Sequence, residues 1–106
     1  MVKRYNEIQP VEMWQGVHRK TLNYGERTLM VEITFEKDSV VKLHSHPHEQ
    51  IGYLVSGNFS LTIGAETWEV FPGDSWVIPS NIPHEAAFAE KSIAVEVFSP
   101  VRKEYI

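Results

Sequence analysis

The stretch His44-Ser45-His46-Pro47-His48-Glu49-Gln50 is the most informative part of the chain, because it predicts a metal site at the end of a strand. Alternate strand residues point to the same side, so the imidazoles of His44 and His46 can reach one point. Imidazole nitrogen is a common ligand for transition metals. Pro47 lacks an N–H and is predicted to end the strand ladder and bend the chain. The bend would bring the carbonyl oxygen of Gln50 back to the same point.

A further ligand is expected from a distant strand, where His84 offers another imidazole. The predicted ligands of one divalent ion are therefore His44, His46, Gln50 and His84. The spacing does not exclude His48, which has the same parity as the first two histidines. Alternatively, the histidine run is a solvated strand end with only adventitious affinity for metals. His18 stands apart in the sequence and is predicted to be structural or exposed.

The sequence around this stretch has the hydrophobic pattern of β-strands. Apolar residues alternate from Leu29 to Phe35, as in a strand with one buried face. Further strands are predicted at Val40–His44, Ile51–Val55, Phe59–Ile63, Glu66–Phe71, Ser75–Ile78 and Ser92–Phe98. No segment keeps a helical apolar period over three turns without a glycine or proline.

Turn residues separate these strands. Ser56-Gly57-Asn58 predicts a hairpin between the strands on either side of it, and Pro72-Gly73-Asp74 predicts another turn. Short strands with a turn roughly every ten residues are typical of a sandwich or closed barrel. Closure also removes exposed strand edges. We therefore expect an all-β single domain over residues 1–106, with the barrel at about 28–100.

The composition fits one globular domain and argues against several classes of function. The chain has 106 residues, of which 42% are hydrophobic and 23% charged, enough to form one core. Its net charge of −4 argues against nucleic acid and anionic membrane surfaces as partners. It has no cysteine, so a metal must bind to nitrogen and oxygen. The sequence shows neither a signal peptide nor a membrane span, so a cytoplasmic location is the default expectation.

With these residues in view, the chain resembles the cupin superfamily. The first cupin motif is a glycine, five residues, His-x-His, three or four residues, a glutamate, six residues and a glycine. His44, His46 and Gly57 match it, whereas Asp38 stands at the first glycine and Gln50 at the glutamate. Aspartate can also serve a turn. The resemblance implies a jelly-roll β-barrel that holds one metal ion.

The second cupin motif is a glycine, five residues, Pro-x-Gly, two residues, a histidine, three residues and an asparagine. Gly73, Pro79 and His84 match it, Asn81 replaces the second glycine, and Phe88 replaces the asparagine. Asparagine tolerates the left-handed backbone that glycine supplies, so the change at position 81 is mild. The resemblance covers residues 38–102. It is specific for the fold and the metal site, but cupins have many functions.

Glutamine in place of glutamate changes the charge of the predicted site. Gln50 brings a neutral dipole, so the ion would keep its full charge among neutral ligands. Such an ion is a stronger Lewis acid and attracts anionic substrates more strongly. This favours Lewis-acid chemistry over a redox cycle. Three nitrogens and one amide oxygen suit nickel, zinc, cobalt, iron or manganese.

A second group of candidate residues lies near the C-terminus. Glu96 interrupts the apolar strand Ser92–Phe98, and the pattern favours a place on the solvent face. The alternative is a place inside the barrel, where a carboxylate near a metal can shuttle protons. Arg102 is either a solvated terminal charge or a fork that binds a substrate carboxylate.

These residues give a narrower resemblance, to the KdgF-type pectin-degradation cupins. The similar stretches are His44–Gln50, Pro72–Ser75, Ile78–His84 and Glu96–Arg102. In that family the glutamine is itself a metal ligand. The family's acid/base carboxylate, substrate-contacting phenylalanine and carboxylate-binding arginine map onto Glu96, Phe98 and Arg102. The family usually has aspartate at position 96, and the extra methylene here displaces the carboxylate.

The narrower resemblance implies a metal-dependent enzyme that converts 4,5-unsaturated uronate monosaccharides, which are anionic sugars, to open-chain keto forms. Two other functions stay open: a small metal-dependent dioxygenase, and a binding module for a metal or small molecule without catalysis. The resemblance also implies a homodimer, in which a strand at Met13–Val17 outside the barrel would pair with the second subunit. Trp14, Trp68 and Trp76 could stack on a sugar, but large aromatic residues in a small barrel are more often in the core, where we expect them.

Overall fold

Almost all regular structure in the chain is β-strand. The computed structural model describes residues 1–106 and contains ten strands and two single-turn 3₁₀ helices, at Tyr5–Glu7 and Lys103–Tyr105. The strands are β1 (Val11–Trp14), β2 (Val17–Tyr24), β3 (Leu29–Phe35), β4 (Val40–His44), β5 (Glu49–Ser56), β6 (Phe59–Ile63), β7 (Glu66–Val70), β8 (Ser75–Ile78), β9 (His84–Ala87) and β10 (Ser92–Ser99). None of its helices has the length and apolarity that crossing a bilayer requires.

The strands form two antiparallel sheets around a hydrophobic interior. One sheet has six strands in the order β1-β2-β3-β10-β5-β8, and the other has four in the order β4-β9-β6-β7. From β3 onwards the chain crosses repeatedly from one sheet to the other, as in a double-sheet jelly roll. The predicted all-β barrel is confirmed.

Three stacked aromatic rings lie in the core at the end of the barrel opposite the histidines. Phe88 stacks between Phe35 and Phe59, with ring centroids 3.9 and 4.6 Å apart. In the pair of strands β4 and β9, the register places Val40 opposite Ala87, beside this stack, and His44 opposite His84 at the other end. Burying each large apolar side chain contributes about 1.5–3 kcal/mol. The barrel therefore has one apolar end and one end lined by polar groups.

The predicted hairpin across residues 56–58 is wrong, because the strands on either side of it lie in different sheets. Strand β5 pairs with β10 and β8, whereas β6 pairs with β7 and β9. The chain changes sheets at Gly57, which has a φ of +90°. A Cβ there would approach Ser92 Cα to 2.7 Å, so only glycine fits this crossing. The tight hairpin instead joins β6 and β7 through Gly64, with a φ of +61°.

The predicted strand at Met13–Val17 is also wrong. The chain turns at Gly16, with a φ of +82°, and β1 folds back on β2 with Trp14 opposite Val17. Strand β1 is thus an edge strand of its own chain's sheet. The two residues that replace motif glycines do serve as turns, since Asp38 and Asn81 have φ values of 69° and 64°.

Candidate metal centre

Three histidines meet at the polar end of the barrel. Strand β4 ends at His44 and β9 begins at His84, and the two residues are cross-strand partners. His46 lies just beyond the end of β4, in the connection to β5 rather than on a strand. One ring nitrogen from each of the three lies within 4.8 Å of the other two, so a single ion can contact all of them.

Backbone carbonyls fix how these three imidazoles are presented. The Nδ1 atoms of His44, His46 and His84 lie 2.8, 2.9 and 2.9 Å from the carbonyl oxygens of Lys42, His48 and Ile82. A carbonyl oxygen only accepts, so each Nδ1 carries the proton. In the neutral ring the Nε2 lone pair is then free to bind a metal, the arrangement that second partners of ligating histidines impose.

Burial keeps two of the rings neutral. Desolvation, followed by the positive charge of Arg102, lowers the pKa of His46 to about 4. Desolvation is also the main cause that lowers the pKa of His84. The Nε2 atom of His84 is buried and has no hydrogen-bond partner. Near neutral pH these rings therefore present unprotonated nitrogen, which is what a metal ligand must offer.

Gln50 places an amide oxygen beside the three histidines. It is 7% exposed, on the inner face of β5, and its Oε1 lies 3.1 Å from His46 Nε2. Its amide nitrogen donates to Glu96 Oε1 at 2.5 Å, which turns the oxygen towards the histidines. With Nδ1 protonated, His46 Nε2 and the amide oxygen are two acceptors that face each other, and a cation between them would satisfy both. The residues present therefore fit a divalent metal ion with neutral nitrogen and oxygen ligands.

The other two histidines stay outside this cluster. The His48 ring centroid is 5.6 Å from that of His46, and its carbonyl oxygen accepts the proton of His46. Its role is thus to orient a ligand, and it is not one of the three histidines that converge. His18 lies on β2, where its Nε2 is 3.7 Å from a carboxylate oxygen of Glu12.

Glu96 lies inside the barrel, 6% exposed, next to the histidine cluster. It shares the inner face of β10 with Ala94 and Phe98, while Ile93, Val95 and Val97 on the other face are only half-buried. The solvent-face placement that the pattern favours is therefore wrong. Desolvation raises the pKa of Glu96 to about 7, although hydrogen bonds from Gln50 and Trp76 and the charge of Arg102 act in the opposite direction.

Arg102 lies three residues beyond the end of β10 and lines a cavity inside the barrel together with His44, His84 and Glu96. Its guanidinium carbon is 5.2 Å from the ring centroid of Phe98 and 4.4 Å from that of Tyr105. Its Nε donates to a carboxylate oxygen of Glu104 at 3.1 Å, and the side chain is 17% exposed. The guanidinium is thus held over two aromatic rings with donors left for an anion.

Two further residues line the cavity: Tyr105 is not identified from the sequence, and Trp76 is expected from it only as a core residue. Tyr105 comes from the C-terminal 3₁₀ turn, which no apolar period predicts, and it packs on Phe98 at 5.5 Å. Trp76 is half-buried on β8, lines the cavity, and meets Phe59 edge to face at 5.2 Å. The expectation of core tryptophans is wrong for Trp14 and Trp68, which are 41% and 45% exposed.

Comparison with known proteins agrees with this architecture. Over 97 residues the chain is 29% identical to the pectin degradation protein KdgF of Dickeya dadantii (strain 3937), covering 90% of this chain and 88% of that protein. KdgF from Halomonas sp. has a similar structure, with a TM-score of 0.94, 29% identity and 100% of both chains covered. An RmlC-like cupin from Shewanella frigidimarina NCIMB 400 gives a TM-score of 0.95 at 25% identity, with 99% of this chain and 95% of that chain covered. Residues 31–100 match the Cupin domain family, so the chain belongs to the cupins.

Proposed function

We propose that this cupin is a metal-dependent enzyme of pectin degradation that converts 4,5-unsaturated uronate monosaccharides to open-chain keto forms. The observation that carries the proposal is a buried carboxylate, Glu96, that shares one cavity with the histidine cluster and with Arg102. This set provides a metal site, a proton carrier and a binding group for an anion. The likeness to two proteins named KdgF supports the same choice.

The ligand set suits a reaction in which negative charge develops on oxygen. His44, His46, His84 and Gln50 would hold the ion. A divalent metal on these neutral ligands would supply Lewis-acid stabilisation of that charge. The histidine rings are held by backbone carbonyls, so the ligands need little rearrangement.

Glu96 would carry the proton. Ring opening removes the proton from the hemiacetal hydroxyl at C1, breaks the bond between C1 and the ring oxygen and protonates that oxygen, which leaves an aldehyde at C1 and an enol at C4 and C5. Tautomerisation then adds a proton at C4 and removes one from the enol oxygen, so no atom is gained or lost. A carboxyl with a pKa of about 7 populates both protonation states near neutral pH, as a group that takes and returns protons requires.

Arg102, supported by Phe98, would bind the sugar. The guanidinium presents a planar set of donors that suits the uronate carboxylate. Its stacking on Phe98 and Tyr105 restrains it, so less side-chain entropy is lost when the carboxylate binds. Phe98 lines the cavity but is only 1% exposed, so it would act on the sugar chiefly by supporting the Arg102 guanidinium that lies over its ring.

The test is an assay on protein of known metal content. Freshly generated 4,5-unsaturated galacturonate is mixed with the protein, and loss of the enol-ether absorbance in the ultraviolet is followed against a control without protein. We expect faster loss that disappears on chelation and in the His84→Ala variant. No acceleration with a fully loaded site would refute the uronate reaction. Oxygen consumption with a redox-active metal would instead indicate a dioxygenase, and tight ligand binding without product would indicate a binding module.

A further inference from the structure

Three residues form a row across the inner face of the six-stranded sheet. In register, Glu96 on β10 lies opposite Gly52 on β5, and Gly52 lies opposite Trp76 on β8. Side chains at paired positions point to the same face of a sheet. Glu96 and Trp76 both line the barrel cavity, which places the whole row on that side.

Gly52 leaves a gap that the indole of Trp76 fills. A Cβ at Gly52 would lie 2.5 Å from Trp76 Nε1 and still closer to Cε2 and Cζ2 of the same ring. Contacts this short do not occur, so any larger residue at position 52 must displace the indole. The backbone of Gly52 does not have a positive φ, so the requirement for glycine here comes from the indole and not from the chain conformation.

The position of the indole brings its N–H to Glu96. Cβ atoms at paired positions on neighbouring strands are about 4.5–5.5 Å apart. Nε1 lies 2.5 Å from the point where the Cβ of position 52 would be, and Glu96 is the next residue along the row. The carboxyl group, which extends beyond its Cβ, is therefore within reach of Nε1. The hydrogen bond from Trp76 that opposes the raised pKa of Glu96 agrees with this geometry.

We propose that Trp76, laid across Gly52, is a positioning residue that holds the Glu96 carboxylate against Gln50 by donating its indole N–H. The amide of Gln50 on β5 binds one carboxylate oxygen, and the indole restrains the group from β8, on the other side of β5. Gly52 is part of the same device, because it makes room for the ring. The catalytic consequence rests on the proposed function, whereas the contact itself does not.

The contact is tested by a double-mutant cycle on the unfolding equilibrium constant of metal-loaded protein. The variants are Trp76→Phe, which keeps an aromatic ring and removes the N–H, Glu96→Met, and the two combined. We expect Trp76→Phe to raise the unfolding equilibrium constant of the wild type. In the Glu96→Met background the same substitution should have an effect about 5-fold smaller. Equal factors in both backgrounds would overturn the proposal. Trp68→Phe, on an exposed tryptophan, is the matched control and should show no such dependence.

The positioning role is tested by the split between kcat and KM. With 4,5-unsaturated galacturonate, Trp76→Phe should lower kcat by about 10-fold or more while KM and metal content stay near the wild-type values. Gly52→Ala should produce the same split, because it displaces the indole. A change in KM alone, or an unchanged kcat, would overturn the positioning role. If the wild type does not act on the sugar, the proposed function fails, and the unfolding cycle still decides whether the contact exists.

Discussion

Glu96 and Gln50 are joined by a hydrogen bond inside the barrel, beside the histidine cluster. The amide nitrogen of Gln50 donates to the carboxylate of Glu96, and this contact turns the amide oxygen towards His46. Burial raises the pKa of the carboxyl to about 7. One contact thus orients both the proposed neutral ligand and the proposed proton carrier.

Replacing Glu96 by glutamine tests the proton role. We expect Glu96→Gln to lower kcat by about 10²- to 10⁴-fold, because the amide cannot exchange a proton while it keeps the shape of the side chain. Steady-state assays with the unsaturated uronate measure the loss, and circular dichroism and metal content verify the fold. The control is Glu69→Gln, an exposed position on β7 that should leave kcat unchanged. Turnover that survives in Glu96→Gln would exclude the proton role.

Ionisation of Tyr105 should lower the free energy of unfolding at alkaline pH. Desolvation by burial is the main cause that raises its pKa. Because its pKa is higher in the folded state, the fold favours the protonated tyrosine. The resulting stabilisation is fully present below the pKa of the unfolded state, about 10, and is lost as pH rises through the pKa of the folded state. Urea unfolding between pH 8 and 11 should therefore show a steeper loss in the wild type than in Tyr105→Phe. Tyr53→Phe, at a half-exposed position, is the control. Parallel losses in the wild type and Tyr105→Phe would contradict the expectation.

At the level of strands, β10 is the element that joins the fold to the site. It lies between β3 and β5 in the six-stranded sheet and places Glu96 and Phe98 on the inner face. It then delivers Arg102 to the cavity in the residues that follow its end. One central strand thus carries the proposed proton carrier and substrate contacts, which limits how far they can move relative to one another.

The sequence predicts the bounds of β3, β4 and β8 as the structure has them, and it misses β2 and β9. Strand β3 alternates strictly and its predicted bounds agree with the structure. Strand β2 is half-buried along most of its length and has no alternation to detect, and β9 has only four residues. The interior position of Glu96 depends on which face of β10 is turned inwards. Strand pattern alone cannot say this when both faces are largely apolar.

The crossing between sheets at Gly57 should be among the positions least tolerant of substitution. Gly57→Ala combines a φ of +90° with a clash against Ser92, so we expect it to lower the free energy of unfolding by about 3 kcal/mol. Gly25→Ala is the matched control, since nothing lies within 4 Å of its added Cβ. Urea denaturation measures both variants. Equal stabilities would mean that the crossing does not require glycine.

At the level of the whole molecule, the two ends of the barrel differ in the residues that line them. The aromatic stack around Phe88 stabilises one end, and the histidines with their polar neighbours occupy the other. The cupin motifs predict the histidines that converge at the polar end, because the motif positions of His44, His46 and His84 are specific to the metal site. Tyr105 and Trp76 reach the cavity through tertiary packing, which leaves no local pattern. The homodimer stays a prediction that sedimentation equilibrium would measure.

Metal should stabilise the folded protein through the three converging histidines. At a free ion concentration about 100-fold above Kd, binding stabilises the native state by about 2.7 kcal/mol, so chelation should lower Tm. His84→Ala should abolish this response to added zinc or nickel. His18→Ala, which removes a histidine paired with Glu12 away from the cluster, should keep it. Thermal melts with and without chelator test the expectation, which fails if both variants respond alike.

The carbonyl partners of the three ligand rings have a consequence for how the ion is captured. Each partner lies two residues from its histidine, so every ring is held by its own short segment of backbone. These side chains therefore lose their rotational freedom when the chain folds, and not when the ion binds. Different metals would meet the same rigid frame, and selection among them would depend on how well each ion's size and preferred geometry suit it.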